Sequence, residues 1–276
     1  MMRLLSLADA IAEYVHDGDT VALEGFTHLI PFAAGHEVIR QQRRDLTLVR
    51  MTPDLIYEQM IGMGCARKLI FSWGGNPGVG SLYRLRDAVE HGWPQPLEIE
   101  EHSHAGMAAA YAAGAAGLPL AVLRAYTGTD LGRVNPHIQS ITDPFTGESL
   151  AAIPALRPDV GIIHAQRADR AGNVLIEGIV GVQKEVAMAS ARAVVTVEEI
   201  VDDLRAASPN SVILPGWTID ALVEAPGGAR PSYAHGYYGR DNAFYTAWDG
   251  ISRDRETFLA WMMEHVVATD QVFGRR

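Results

Sequence analysis

Short apolar runs alternate along the chain with stretches in which apolar positions recur every three or four residues. The runs are Thr20–Leu23, Leu46–Met51, Lys68–Ser72, Leu120–Arg124, Val160–Ala165 and Ala193–Val197, and their near-continuous apolar character predicts strands of a parallel sheet buried on both faces. The intervening stretches Phe32–Arg40, Leu55–Met63, Ser81–Glu90, Ala105–Ala116 and Val182–Ser190 carry helical periodicity. Ahead of the first run, Ser6 caps a helix to Tyr14 whose Leu7, Ala10, Ile11 and Tyr14 share a face, with Gly18 ending it. Strand and helix in alternation predict a three-layer α/β/α fold around an open, mostly parallel sheet. Residues 207–245 break the pattern with many prolines and glycines and with Tyr233, Tyr237, Tyr238 and Tyr245. They read as an ordered C-terminal excursion that either covers the sheet or meets a partner.

The pattern places candidate chemistry at the strand ends. Glu24-Gly25-Phe26-Thr27-His28-Leu29-Ile30-Pro31 lies between the Val21-Ala22-Leu23 run and the helix at Phe32. A strand, a glycine turn and a proline-led helix in that order present backbone amides to an anion or a polarised carbonyl. Glu24 and His28 flank the turn. His28 is suited to pair with a dicarboxylate, and an ordinary loop histidine is the alternative. The second block, Ser72-Trp73-Gly74-Gly75-Asn76-Pro77-Gly78-Val79-Gly80, also joins a strand to a helix. Its Gly74, Gly75 and Asn76 either line the cleft or form a tight turn. The block has neither the lysine of a phosphate loop nor dinucleotide-fingerprint spacing, which argues against a nicotinamide-dependent oxidoreductase.

Composition narrows the classes. The 276 residues, 48% of them hydrophobic, suffice for a full core, and with no internal repeat or linker the chain 1–276 reads as one domain. A net charge of −10, with Lys68 and Lys184 the only lysines, argues against nucleic-acid binding. No stretch is long and apolar enough for a membrane span, the N-terminus lacks the apolar core of a signal peptide, and the lone Cys65 fits a reducing cytoplasm. Cys65 reads as a packed thiol. His235 among its tyrosines and the acidic run Glu198–Asp203 lack metal-ligand spacing, so no metal site is assigned; the run reads as a strand leaving for a solvated turn.

Four blocks in order carry a family resemblance: Thr20–Pro31, Ser72–Ser81, Glu101-His102-Ser103-His104 and Pro231–Tyr238. Together, from about residue 5 to about residue 265, they resemble the first, A-type subunit of the family I coenzyme A transferases, in the branch of the 3-oxoadipate and glutaconate enzymes. Most members read Gly-Gly-Phe-Gly-x-x-Gly-x-Pro at the first turn, whereas here Glu24 and Thr27 flank Gly25-Phe26. The resemblance implies CoA transfer from succinyl-CoA to a short dicarboxylate such as 3-oxoadipate, through a glutamyl-CoA thioester on a B-type partner in an A2B2 assembly. It implies a CoA thioester as substrate and no permanently bound cofactor. Gly114-Ala115-Ala116-Gly117-Leu118-Pro119 matches a glycine-rich family segment. Counting back from it puts His104 where the family carries an amide side chain, and an imidazole can donate one hydrogen bond as an amide does. Capping of the following helix by Ser103 and His104 is the other reading. Some relatives hydrolyse ring-derived CoA thioesters with a glutamate of the A-type subunit, for which Glu101 is the counterpart unless it serves only the helix dipole. A non-catalytic anion- or CoA-binding protein is the remaining class.

Overall fold

The computed structural model describes residues 2–204, 208–269 and 273. The strands are β1 (Arg3–Leu4), β2 (Thr20–Glu24), β3 (Leu46–Arg50), β4 (Ala66–Phe71), β5 (Glu98–Glu101), β6 (Leu120–Leu123), β7 (Gln139–Thr142), β8 (Ser149–Pro154), β9 (Val160–Asp169), β10 (Val174–Ile176), β11 (Arg192–Val201), β12 (Val212–Leu214) and β13 (Ala221–Glu224). The helices are α1 (Leu7–Tyr14), α2 (Phe32–Arg40), α3 (Leu55–Gly62), α4 (Tyr83–His91), α5 (His104–Ala115), α6 (Leu131–Val134), α7 (Gln183–Ala189), α8 (Asn242–Arg253) and α9 (Arg255–Met262). The principal sheet runs β1-β13-β11-β9-β2-β3-β4-β5, parallel at every step, with β10 and β12 added antiparallel beside β9.

Period-two alternation sends successive side chains into two cores. Val21, Leu23, Leu48, Ile162 and Val194 pack under α1, α2, α3, α8 and α9, whereas Ala22, Val49, Ile163 and Val195 pack under α5 and α7. Each fully buried Leu, Ile or Val contributes roughly 1.5–3 kcal/mol, and helices on both faces explain why these strands are apolar throughout. Ser6 caps α1 through its hydroxyl, which accepts from the Asp9 N–H at 3.1 Å. The alanine-rich α5 packs closely because Gly114 carries no Cβ; one there would overlap the Leu156 carbonyl oxygen.

Two expectations are corrected. The run 120–124 forms β6, but β6 belongs to a separate antiparallel sheet, β6-β8-β7. Residues 207–245 are more than an excursion: residue 207 lies outside the described residues, β12 and β13 are strands of the principal sheet, and the covering segment proper runs from 225 to 241. Among the described residues, no helix is long and apolar enough to cross a membrane.

Candidate active site

Strands β2, β3, β4 and β5 are adjacent and parallel, so Glu24, Arg50, Phe71 and Glu101 end side by side at one carboxyl edge. Ligands of open parallel sheets bind at such edges. The turn after β2 folds back on itself. A Cβ on Gly25 would sit 2.5 Å from the Leu29 carbonyl oxygen and 2.8 Å from that of His28, so only glycine fits. Thr27 (φ 61°) and Leu29 (φ 53°) hold left-handed conformations, backbone strain of a kind that clusters at functional sites.

The covering segment holds this conformation. Leu29 N–H donates to the Tyr233 carbonyl at 2.9 Å, Ile30 N–H to Ser232 Oγ at 3.4 Å, and Ala33 N–H to the Gly228 carbonyl at 2.9 Å. The first turn of α2 is therefore buried and engaged, not open to an anion as the sequence pattern suggests. The available donors lie earlier. Among the described residues, the N–H groups of Phe26 and Thr27 meet no acceptor, Phe26 is half-buried and Thr27 is exposed. Successive amides of this kind form an anion-binding concavity.

Glu24 and His28 are placed differently from expectation. Glu24 is only 2% exposed, and its Oε1 accepts from Met51 N–H at 2.8 Å. Burial pushes its carboxyl up to about 7, against the opposing pull of Arg50. His28 is fully buried, its Nε2 3.0 Å from the Glu177 carbonyl oxygen and its ring tilted against that of Tyr233, centroids 4.8 Å apart. Burial lowers its pKa. Both side chains are held by backbone partners of this chain beneath the turn. Arg50, which sequence reasoning passed over, completes the support. Fully buried, it donates to the Gly25 carbonyl at 2.9 Å and to Asp54 Oδ1 at 2.9 Å, beneath the Tyr57 ring.

The β5–α5 corner supplies the exposed side chains. His104 opens α5, with Ser103 as N-cap accepting from Gly106 N–H at 3.0 Å. Its ring is exposed, and Nδ1 lies 3.2 Å from Ser72 Oγ. Ser72 in turn donates to the Met51 carbonyl at 2.6 Å, so hydrogen bonds run from Glu24 through Met51 and Ser72 to His104. The acidic pair divides its work. Glu100 pairs with Lys68 at 2.8 Å and His102 Nε2 at 2.8 Å. Burial would raise its carboxyl, but the hydrogen bonds from His102 and Lys68 outweigh it and hold the group at about 2. Glu101 is exposed at the end of β5. Tyr126, with φ 81°, presses its hydroxyl into the corner, 3.2 Å from both His102 Nδ1 and Ser103 N. Gly106 leaves the room it needs. Nothing in the one-dimensional pattern marks Tyr126 or Arg50, because both act through positions remote in sequence.

The second glycine block is structural at its centre. Gly75 N–H donates to the Pro53 carbonyl at 3.2 Å, while buried Asn76 donates through Nδ2 to the Tyr245 carbonyl at 2.7 Å and closes a turn onto Gly80. Gly74 is half-buried beside them, and Trp73 is exposed. The block is a tight turn anchored to α8, with Asn76 facing inward. Beyond the turn lies a cleft of about 800 Å³ lined by Arg167, Glu177, Tyr233, His235 and Tyr237. His235 is exposed on its wall rather than packed among tyrosines. The acidic run also differs: β11 continues to Val201, and buried Glu198 accepts from Tyr238 Oη and Gly227 N–H and contacts His164 at 2.7 Å. Cys65 is buried, and burial pushes its thiol up to about 12.

A parallel sheet whose carboxyl edge carries two unpartnered amides after β2 and an exposed imidazole after β5 has the makings of an α/β enzyme site, in which such amides can hold a developing oxyanion. The family model described as coenzyme A transferase matches residues 4–225, and the chain belongs to that family as a CoA-transferase. It is 67% identical to the A-type subunit of the 3-oxoadipate CoA-transferase of Pseudomonas knackmussii, over 98% of this chain and 95% of that one. The crystal structure of glutaconate coenzyme A-transferase from Acidaminococcus fermentans superposes with a TM-score of 0.90 at 34% identity, over 97% of this chain and 89% of the other. The decarboxylase AibA/AibB, crystallised as a cysteine-to-serine variant, superposes at 0.80 with 32% identity, over 95% and 98%.

Proposed function

We propose that this chain is the A-type subunit of a cytoplasmic CoA-transferase that moves CoA from succinyl-CoA to 3-oxoadipate. The observation that carries the reading is the 67% identity to the corresponding subunit of a 3-oxoadipate CoA-transferase over nearly both whole chains. Relatives near one-third identity include both a transferase and a decarboxylase, so the nearer likeness decides the reaction. The nucleophile is a glutamate of the B-type partner, with which this chain forms an A2B2 assembly. Its carboxylate attacks the thioester carbonyl, expelling the CoA thiolate and forming a succinyl-glutamyl anhydride. The thiolate then attacks the glutamyl carbonyl, releasing succinate and leaving a glutamyl-CoA thioester, and the acceptor carboxylate runs the same two steps in reverse to leave as its CoA thioester.

In keeping with a nucleophile on the partner, Glu24 is buried on Met51 and Glu100 is paired with Lys68 and His102. The contribution of this chain is the oxyanion site at the Phe26 and Thr27 amides and a wall carrying His104. Hydrolysis through Glu101 keeps one supporting feature, the exposure of that carboxylate beside the same corner. The test is to co-express the chain with its B-type partner, add succinyl-CoA, reduce one portion with borohydride and map the modified glutamate by peptide mass, and give 3-oxoadipate to a second, unreduced portion. A mark on the partner together with 3-oxoadipyl-CoA formation is expected. Steady thioester hydrolysis without a mark, abolished by Glu101→Gln, refutes transfer in favour of the hydrolase.

A further inference from the structure

The hydroxyl of Ser72 has one proton to give, and two atoms stand close to it. Its oxygen is 2.6 Å from the Met51 carbonyl oxygen and 3.2 Å from His104 Nδ1. A carbonyl carries no hydrogen, so two oxygens at that separation require the hydroxyl proton between them. Only lone pairs of Ser72 remain for His104, and Nδ1 must therefore carry the ring hydrogen; the tautomer is assigned from this network. In the neutral ring Nε2 is then bare. No described residue bonds Nε2, and the ring is exposed.

His104 is the first residue of the 12-residue α5, at its positive end, and the first turn contains no acid. Just past β4, Ser72 is uncharged. On β5, Glu100 is committed to Lys68 and His102, and Glu101 is exposed. His102, in the corner after β5, contacts Tyr126. On β3, Arg50 is tied to Asp54 and the Gly25 carbonyl.

We infer that Ser72 is a positioning residue that fixes His104 as the Nδ1–H tautomer, so that His104 meets the acyl-CoA through Nε2 as a hydrogen-bond acceptor. This rests on His104 lining the CoA-transfer site, and it reverses the donor role that replacement of an amide side chain suggests. Oxyanion donation falls to the Phe26 and Thr27 amides. His104 takes a hydrogen bond from an N–H of the thioester substrate, of which the pantetheine amides are the class every acyl-CoA offers.

The experiment uses the assembled enzyme with ¹⁵N-labelled histidine, the His104 signals being assigned by their loss in His104→Gln. Long-range ¹⁵N spectra at alkaline pH are expected to show His104 protonated on Nδ1, and Ser72→Ala to move the proton to Nε2. In kinetics, kcat/KM for the CoA thioester is compared between the parent and the Ser72 variants. Ser72→Ala should lower it about tenfold, the worth of one hydrogen bond of this kind, and Ser72→Thr should restore it. An Nε2–H ring in the unmodified enzyme overturns the inference, as does a Ser72→Ala enzyme whose kcat/KM equals the parent's. An Nδ1–H ring in an assembly inert toward every CoA thioester upholds the tautomer and refutes the transferase reading instead.

Discussion

Replacing Glu24 by glutamine should make the protein more stable at pH 8 and remove part of its pH dependence. In the folded chain burial pushes the Glu24 carboxyl from its ordinary 4.5 up to about 7. The sign follows from proton counts. Between these values the unfolded chain has released the proton and the folded chain still holds it, so the stabilisation is complete below about 4.5 and is lost as pH rises through 7. A difference of about 2.5 units at about 1.36 kcal/mol each amounts to about 3 kcal/mol. Glutamine keeps an oxygen for the Met51 N–H, which Glu24 Oε1 holds at 2.8 Å, and has no proton to lose. Urea unfolding of both proteins at pH 5, 6, 7 and 8 is the assay, read as midpoint times a common slope. Glu58, pushed by burial to a similar value, titrates equally in both, so the difference between them isolates Glu24. At pH 5 glutamine should be equal or slightly worse; by pH 8 it should gain by about 2–3 kcal/mol. A difference that stays constant across the series refutes the reasoning.

Gly25→Ala places a methyl 2.5 Å from a backbone oxygen that cannot step aside, so the turn must open. A cost of about 1–3 kcal/mol in stability is expected, together with a loss of about 100-fold or more in kcat as the Phe26 and Thr27 amides move; steady-state assays within a few-fold of the parent would contradict this. The Cys65 thiol should react with an aromatic disulfide reagent only on unfolding, because it is buried and pushed up to about 12. Stoichiometric labelling of the native protein within minutes would show the packing around Cys65 to be open.

The layers of the fold were legible because alternation within strands such as Val21-Ala22-Leu23 encodes two cores directly. Sheet membership was not. The run at 120–124 looks like its neighbours, yet pairing partners, not local hydrophobicity, assign β6 to the small sheet. β13 hid within a proline- and glycine-rich region because Ala221–Glu224 is four residues long and takes its stability from β11 on one side and β1 on the other. At the site, turn chemistry and family spacing single out Gly25, Phe26, Thr27 and His104, which the structure sets along the carboxyl edge. Glu24, His28 and Asn76 are buried on backbone partners of this chain, a placement the sequence does not announce, since a polar residue at a strand end reads the same whether it faces solvent or its own backbone. Arg50, Ser72 and Tyr126 matter through partners about 20 to 30 residues away, a relation that periodicity does not record.

The Gly25 turn is held from two sides: Arg50 donates to its carbonyl from beneath, while Gly228, Ser232 and Tyr233, beyond the residues 4–225 that the family model matches, accept from the N–H groups that follow it. The shape of the turn is thus set partly by a segment more than 200 residues further along the chain. A chain ending at 225 would lose these acceptors together with α8 and α9, whose Trp248 and Phe258 belong to the core on their face of the sheet. Substitutions within residues 225–241 therefore offer a remote route to the Gly25 turn, acting on its geometry without altering a residue before 225.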